Sequence, residues 1–306
     1  MEIGLKMGIQ VSDWSEATIR AKNLSEIMLI LGEVASAAAI ARNSMMYADY
    51  NKENPLSFLT SRCAAADALY QFGLRAEAEV LFREAEFTQK EKLPIYSILY
   101  SVQGFQYCDF LLDRPLRAVW QLALNSAAIP AVTPLIESCR TAFRRATRTF
   151  QWAKENNGDI LSGALDQLTQ GRAKFYEAKL NGTSSDSRCS LLQSAVEDIH
   201  LAGTQHYLPQ ALLTRGWLRM TSGVITGPES AESDLNEASE ISERGPMRLN
   251  MADIYLYRAR LFFREKSYPW KSPQDDLAAA ERLINECGYH RRDEELGDAK
   301  RAILGT

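Results

Sequence analysis

The 306-residue sequence predicts an all-α fold, an α-solenoid in which antiparallel helix pairs stack into one right-handed superhelix. Three observations predict it: a helical motif recurs along the chain, small residues recur upstream of the motif, and helix-breaking residues separate the segments. Strand patterns are nearly absent. We therefore expect a single domain over residues 1–306, with about six to seven helix pairs and more than about two-thirds of the chain in helices.

The recurring motif is a small residue, three residues, a large apolar residue, two residues and then alanine. Residues three or four apart share one helix face, and alanine there lets a neighbouring helix come close. The copies repeat at intervals that scatter around the roughly 34 residues of a tetratricopeptide unit, which predicts the second helix of each pair. The copies, of which the last is looser, are Ala41-Met45-Ala48, Ala78-Phe82-Ala85, Ala146-Phe150-Ala153, Ala195-Ile199-Ala202, Ala231-Leu235-Ala238 and Leu116-Trp120-Ala123.

Small residues upstream of several copies indicate where the first helix of a pair crosses the second. Glycine inside a helix costs up to about 1 kcal/mol, so its reuse predicts close packing that compensates. A generic helical bundle also places alanine and leucine at helical spacing, but six ordered copies favour the solenoid. The predicted crossing residues are Ala66, Gly104, Gly171, Gly216 and Ala259.

Helix breakers fall where helix pairs should turn. The stretch from Arg114 to Pro134 is the least regular, and we expect an irregular insert near 114–134. The other predicted turns are at Asn54-Pro55, Pro94, Asn156-Asn157-Gly158, Asn181-Gly182, Pro209, Gly227-Pro228 and Gly245-Pro246.

Five stretches of the chain carry a resemblance to a known family: residues 97–109, 164–173, 207–213, 247–253 and 288–293. They resemble the C-terminal tetratricopeptide (TPR) arrays of bacterial STAND-type (NACHT/AP-ATPase-like) signalling NTPases, which join an effector, a nucleotide switch and a sensor. The resemblance implies a sensor arm, with the effector and NTPase modules of its own full-length chain as possible partners. No G-x4-G-K-[ST] phosphate loop occurs here. We therefore expect either the C-terminal region of a longer protein or a stand-alone relative.

Composition narrows the classes of function. Lys and Arg total 35 against 39 Asp and Glu, which argues against a general polyanion binder, and Arg140, Arg144, Arg145 and Arg148 are interpreted as a solvated helix face. We expect no nucleic-acid partner. Five separated cysteines without a C-x2-C pair predict reduced thiols. No signal peptide or bilayer-length apolar run is visible, which favours a cytoplasmic protein without a membrane partner.

The sequence offers little catalytic chemistry. No G-x-S-x-G elbow occurs, and the three histidines, His200, His206 and His290, lack metal-ligand spacing. His290, beside two arginines, either contacts an anion or an acidic partner or caps a helix, and we favour the cap. The adjacent acidic pairs Asp275-Asp276 and Glu294-Glu295 should diverge on a helix. We therefore expect a chain that is not an enzyme, with no catalytic residues, no metal site and no cofactor.

Binding is the remaining function. First helices should line a concave face that recognises a protein or peptide, and the residue after each crossing point should face it. For Phe105 and Trp217, packing between repeats is an equally simple reading. The alternative function is a small-molecule effector sensor with a pocket inside the superhelix. The predicted partner-binding residues are Asp67, Tyr70, Phe105, Asp109, Arg172, Tyr176, Trp217 and Arg260.

Overall fold

The computed structural model describes residues 2–50, 54–125, 131–155, 159–183 and 189–305. Of these residues, 83% are helical and none forms a strand, so the all-α prediction is confirmed. The described ranges contain fourteen α-helices that pack in neighbouring pairs. They are α1 (Glu2–Gln10), α2 (Trp14–Leu31), α3 (Val34–Tyr50), α4 (Pro55–Gln71), α5 (Arg75–Lys92), α6 (Ser101–Leu124), α7 (Val132–Glu155), α8 (Ile160–Leu180), α9 (Cys189–Ala202), α10 (Leu208–Thr221), α11 (Ala231–Arg244), α12 (Arg248–Phe262), α13 (Pro273–Cys287) and α14 (Asp293–Leu304).

Side-chain caps explain where several helices begin. The Asn54 side chain accepts hydrogen bonds from the backbone N–H groups of Leu56 and Ser57, both at 3.1 Å, and Pro55 opens α4. Asp159 caps α8 in the same way. Such caps satisfy backbone donors that have no partner inside the helix. At the other end of α2, Gly32 adopts the left-handed conformation with φ of 82°, which glycine tolerates without a steric penalty.

Most predicted turns lie between helices of the structure. Pro94 follows α5, Asn181 caps the end of α8, and Pro209 lies in the first turn of α10. Gly227-Pro228 and Gly245-Pro246 fall between helices as expected. The predicted turn at residues 156–158 lies outside the described residues.

The stretch predicted to be irregular is partly helical. α6 continues through Arg114 and Pro115 and ends at Leu124, residues 126–130 lie outside the described part of the chain, and α7 begins at Val132. A proline inside a helix costs about 3 kcal/mol or more because it removes a hydrogen bond and crowds the preceding turn. Burial of Leu116, Val119 and Trp120 offsets that cost.

Contacts divide the chain into two compact units. Unit 1 comprises Met1–Phe110 and Asn285–Arg291. Within it, each helix from α1 to α4 packs against its successor, and α2 also packs against α4. The side chains of Ala17, Ala21 and Tyr47 form one part of its core.

Unit 2 comprises Leu111–Ile284 and Arg292–Thr306. Each helix from α7 to α11 packs against the next, while α8 packs against α10, α10 against α12 and α12 against α14. Alternate helices are therefore neighbours, as they are in unit 1 for α2 and α4. The repeat motif supplies this packing: Ala195, Ile199, Ala231 and Leu235 are fully buried.

Two of the three predicted crossing glycines meet a second helix. A Cβ on Gly171 would lie 2.5 Å from Leu192 Cδ2 in α9, and a Cβ on Gly216 would lie 2.9 Å from Leu235 Cδ1 in α11. Gly104 differs, because its Cβ would lie 2.6 Å from the carbonyl oxygen of Leu99 in the segment before its own helix. A side chain at Gly104 would therefore clash with backbone at the start of α6, while side chains at Gly171 and Gly216 would crowd leucines of the helices that they cross.

Four cysteines, Cys63, Cys108, Cys139 and Cys287, are buried free thiols, as expected, and the Cys189 side chain lies outside the described part of the structure. Burial raises the pKa of the Cys139 thiol to about 12, and the Glu177 charge adds to the rise. The Cys139 thiol is therefore protonated at neutral pH, and the four buried cysteines pack as small apolar groups. Within the described ranges, no helix combines the length and apolarity needed to cross a bilayer.

Candidate partner-binding site

Four of the predicted partner-binding residues belong to unit 1. Asp67 and Tyr70 lie on α4, while Phe105 and Asp109 lie in the first half of α6. Tyr70, Phe105 and Asp109 are buried, and Asp67 is partly buried. The two helices meet at this point, where Gln106 Nε2 on α6 donates a hydrogen bond to Asp67 Oδ2 on α4 at 3.4 Å.

An arginine of the same unit occupies the space beside these residues. Arg291 Nη1 lies 2.7 Å from Asp109 Oδ2, and the Arg291 guanidinium carbon lies 4.1 Å from the centre of the Tyr70 ring. Arg291 Nη1 also donates to Gln71 Oε1 at 3.3 Å. Its neighbour His290 packs edge-on against Phe72. The turn after α13 thus covers this part of the predicted partner face within unit 1.

The partly buried Asp67 carboxyl has an altered acidity. Desolvation by burial raises its pKa to about 6, and the Asp109 charge works in the same direction. Opposing effects come from the hydrogen bond donated by Gln71, at 2.8 Å, and from the Arg291 charge. The Asp67 carboxyl therefore titrates close to neutral pH.

The other four predicted residues belong to unit 2 and are buried there: Arg172 and Tyr176 on α8, Trp217 on α10 and Arg260 on α12. Arg172 Nε donates to the Tyr176 hydroxyl at 3.3 Å. The Trp217 ring stacks on Trp120 with their centres 3.6 Å apart and their planes 10° apart. Trp120 belongs to the second half of α6, which is part of unit 2, so this half of the helix packs against Trp217.

The charge of Arg260 is also satisfied inside unit 2. Arg260 Nη1 lies 2.7 Å from Glu295 Oε2, with both side chains almost fully buried, and the Arg260 guanidinium carbon lies 4.0 Å from the Trp120 ring centre. Arg292 pairs with the same carboxylate and with Asp253. Seven of the eight predicted residues take part in packing or polar contacts within their own unit, and Phe105 is buried. The role of all eight in partner binding stays a prediction.

A surface cleft in unit 1 offers an accessible site away from those residues. Its cavity volume is about 400 Å³, and it lies between the end of α3, the start of α4 and the last turns of α5. Apolar groups dominate the lining, with one acidic and one basic side chain among them. The lining residues are Ala48, Asp49, Pro55, Phe58, Thr88 and Lys92.

The buried Arg62 guanidinium supports two walls of the cleft. Its Nη2 donates to Asp49 Oδ1 at 2.8 Å, and its carbon atom lies 3.3 Å from the centre of the Phe58 ring. Nε also lies 3.5 Å from Glu84 Oε2. The Arg62 Nη1 atom is buried and has no hydrogen-bond partner in the described ranges. A buried donor without a partner lowers stability.

Sequence reasoning missed the cleft because its walls come from three helices. The Phe58 and Arg62 pair, four residues apart on α4, was the one local signal. The pairing of Arg62 with Asp49 depends on how α3 packs against α4, which repeat spacing does not determine.

The histidines and the acidic pairs considered as catalytic or metal-binding residues do not come together in one site. His200 pairs with Glu237 at 3.0 Å, whereas His206 packs against Tyr207 and has a pKa lowered by burial. The adjacent acidic residues diverge as predicted, because Glu294 is exposed and Glu295 is buried. Among the described residues, no three His, Cys, Asp or Glu side chains group in a way that could hold a metal ion.

The arginine cluster on α7 is largely engaged with its surroundings. Arg140 pairs with Glu177 at 2.8 Å, Arg144 pairs with Glu137 at 2.6 Å, and Arg148 packs over Trp152. Their positive charges are therefore partly balanced.

Comparisons with known proteins give no further guide to this site. No family model, curated protein or solved structure matches the chain.

Proposed function

We propose that the chain is a non-catalytic polypeptide-recognition module built from stacked tetratricopeptide-like helix pairs. The observation that carries the proposal is the repeated packing within each unit, in which consecutive helices pair and alternate helices such as α8, α10 and α12 are neighbours. Stacked helix pairs of this kind present extended surfaces that recognise proteins or peptides. With the sequence resemblance, this supports a role as the recognition arm of a larger signalling ATPase.

The accessible cleft favours a polypeptide over a small-molecule effector. Pockets for small molecules usually enclose most of the ligand surface. The cleft on α3, α4 and α5 is open to solvent, with a volume near the low end of the ligand-pocket range. One side chain of a partner could enter it while the rest of the partner lies across the surface.

A peptide-selection experiment tests the proposal. The folded chain is immobilised and offered a random phage-displayed peptide library, with a helical protein of similar size and net charge as the control bait. We expect selected peptides to bind the chain with micromolar Kd values and to ignore the control. Failure to enrich any peptide that prefers the chain over the control would contradict polypeptide recognition.

A further inference from the structure

We propose that the cleft between α3, α4 and α5 is a peptide-docking site that takes an aromatic or branched apolar side chain standing beside acidic residues of a partner. This inference rests on the proposed polypeptide-binding function and names the site and the chemistry of its ligand.

The apolar part of the ligand follows from the walls of the cleft. Ala48, Pro55 and Phe58 contribute apolar surface. The Phe58 ring is held by the Arg62 guanidinium, 3.3 Å from its centre, and this cation–π contact fixes its orientation. Such a preformed apolar surface suits a rigid side chain, because neither the cleft nor the ligand side chain loses much conformational freedom on binding.

The acidic part follows from the charges around the cleft. Two charged residues line it, and Asp49 is paired with Arg62. The structure shows no ion pair between Lys92 and any described residue. Among the described residues that line the cleft, the charge without an ion pair is therefore the positive charge of Lys92. Carboxylates of a partner would complement the Lys92 charge.

The location of Lys92 supports the same ligand. It is the last residue of α5, whose final turn also carries Lys90. Both side chains are exposed, but only Lys92 lines the cleft. Lys90 therefore provides a matched control for any change of charge at Lys92.

Three probes test the inference on the full chain. The acetylated, amidated peptide Asp-Glu-Phe-Asp-Glu carries the proposed chemistry, Asn-Gln-Phe-Asn-Gln lacks its charge, and phenylacetate is a small molecule that shares the ring and the carboxylate. Binding is followed by NMR shifts of the Ala48 and Thr88 methyl groups. We expect the acidic peptide to shift both signals and to bind about tenfold more tightly than the uncharged peptide. Equal affinity of the two peptides, shifts elsewhere only, no binding, or a phenylacetate affinity equal to that of the acidic peptide would each overturn the proposal.

Variants supply an independent test. Thr88→Trp fills the cleft without changing charge, Lys92→Glu reverses the charge at the rim, and Lys90→Glu makes the same reversal outside the cleft. Circular dichroism checks that each variant is folded. We expect Lys92→Glu to weaken the acidic peptide about tenfold and Lys90→Glu to change its affinity less than twofold. Thr88→Trp should abolish binding if that variant folds. Equal loss in the two lysine variants would overturn the site.

These experiments distinguish an error in the assigned site from an error in the proposed function. Library-selected peptides that bind the Lys92→Glu and Thr88→Trp variants as tightly as the native chain would leave polypeptide recognition standing and overturn the cleft as its site. A chain that binds neither the acidic peptide nor any library peptide would overturn both.

Discussion

Asp67 is ionised at neutral pH only at a cost to the fold. The residue lies on α4, partly buried, and faces Gln71 on its own helix, Gln106 and Asp109 on α6, and the charge of Arg291. Burial and the Asp109 charge disfavour the carboxylate, while Arg291 and Gln71 favour it. The charge of Glu26 on α2 adds a further, smaller repulsion. The balance leaves the pKa of Asp67 at about 6, above its ordinary value of 3.8.

Replacing Asp67 with asparagine should therefore stabilise the protein at high pH. In the unfolded chain the carboxyl loses its proton near pH 4, whereas in the folded chain it does so near pH 6. As pH rises between these values, the unfolded chain releases the proton more readily than the folded chain does. The free energy of unfolding of the native protein therefore falls relative to that of Asp67→Asn. We expect a gain of roughly 1–3 kcal/mol for the variant at pH 8. Urea unfolding at several pH values measures it.

The difference between the two proteins should fall toward zero at about pH 4, where the native carboxyl is protonated. Asparagine can still accept the Gln71 hydrogen bond with its amide oxygen, so the variant removes the charge and only the longer hydrogen bond that Gln106 donates at 3.4 Å. A variant that is equally less stable at both pH values would show that Asp67 is stabilised as a carboxylate by Arg291.

Residue environments of this kind could be predicted only in part. The small-residue register predicted that Asp67, Tyr70 and Asp109 lie on one concave face, and the structure places Asp67 and Tyr70 on α4 and Asp109 on α6. The register could not supply Arg291, which is 182 positions beyond Asp109 in the printed sequence and pairs with it at 2.7 Å. A local repeat pattern contains no information on such a distant contact.

At the scale of the helix, α8 contains two glycines with different surroundings. A Cβ on Gly171 would lie 2.5 Å from Leu192 Cδ2 and 2.8 Å from Leu192 Cγ, and Leu192 is fully buried. A Cβ on Gly163 would lie no closer than 3.6 Å to Phe150, which is an ordinary contact. The helix thus provides a crossing glycine and a matched control.

Substituting alanine at these two positions should change stability in opposite directions. Gly171→Ala forces the buried Leu192 side chain to shift and should cost about 1–3 kcal/mol. Gly163→Ala introduces no clash and should gain up to about 1 kcal/mol, because alanine is the better helix former. Chemical unfolding of both variants gives the comparison. If Gly171→Ala were as stable as Gly163→Ala, close approach of α9 would not be what requires the glycine.

Helix positions could be predicted well where the cause is local. Asn54-Pro55 predicted a turn, and in the structure Asn54 caps α4 and Pro55 opens it, because a cap and a proline act within a few residues. The second half of α6 could not be predicted in the same way. Pro115 argues locally for a break, and the helix persists because Trp120 stacks on Trp217, 97 positions away in the printed sequence.

For the whole molecule, each compact unit is formed from two separate segments of the chain, so membership of a unit does not follow the order of the repeats. The chain passes from one unit to the other after Phe110, after Ile284 and after Arg291. Two neighbouring arginines consequently serve different units: Arg291 pairs with Asp109 in unit 1, and Arg292 pairs with Asp253 in unit 2. Loss of each ion pair should therefore loosen a different set of helices.

Amide hydrogen exchange on two full-length variants tests this division. Glu295→Gln removes the carboxylate that faces the buried Arg260 and Arg292, and an uncompensated buried charge typically costs about 3–5 kcal/mol. We expect faster exchange in α10, α12 and α14, with α2 to α5 unchanged, because local opening follows cooperative units. Asp109→Asn should have the converse effect, with faster exchange in α4 and the first half of α6 and little change in α10 and α12.

Each variant controls for the other, and Glu294→Gln is the matched neutral change, since Glu294 is exposed and lies next to Glu295. Exchange in the Glu294→Gln protein should follow the native protein throughout. Suppose instead that Glu295→Gln accelerated exchange in α2 to α5 as much as in α12. The chain would then open as one cooperative body, and the division drawn from its internal contacts would not correspond to separate units of stability.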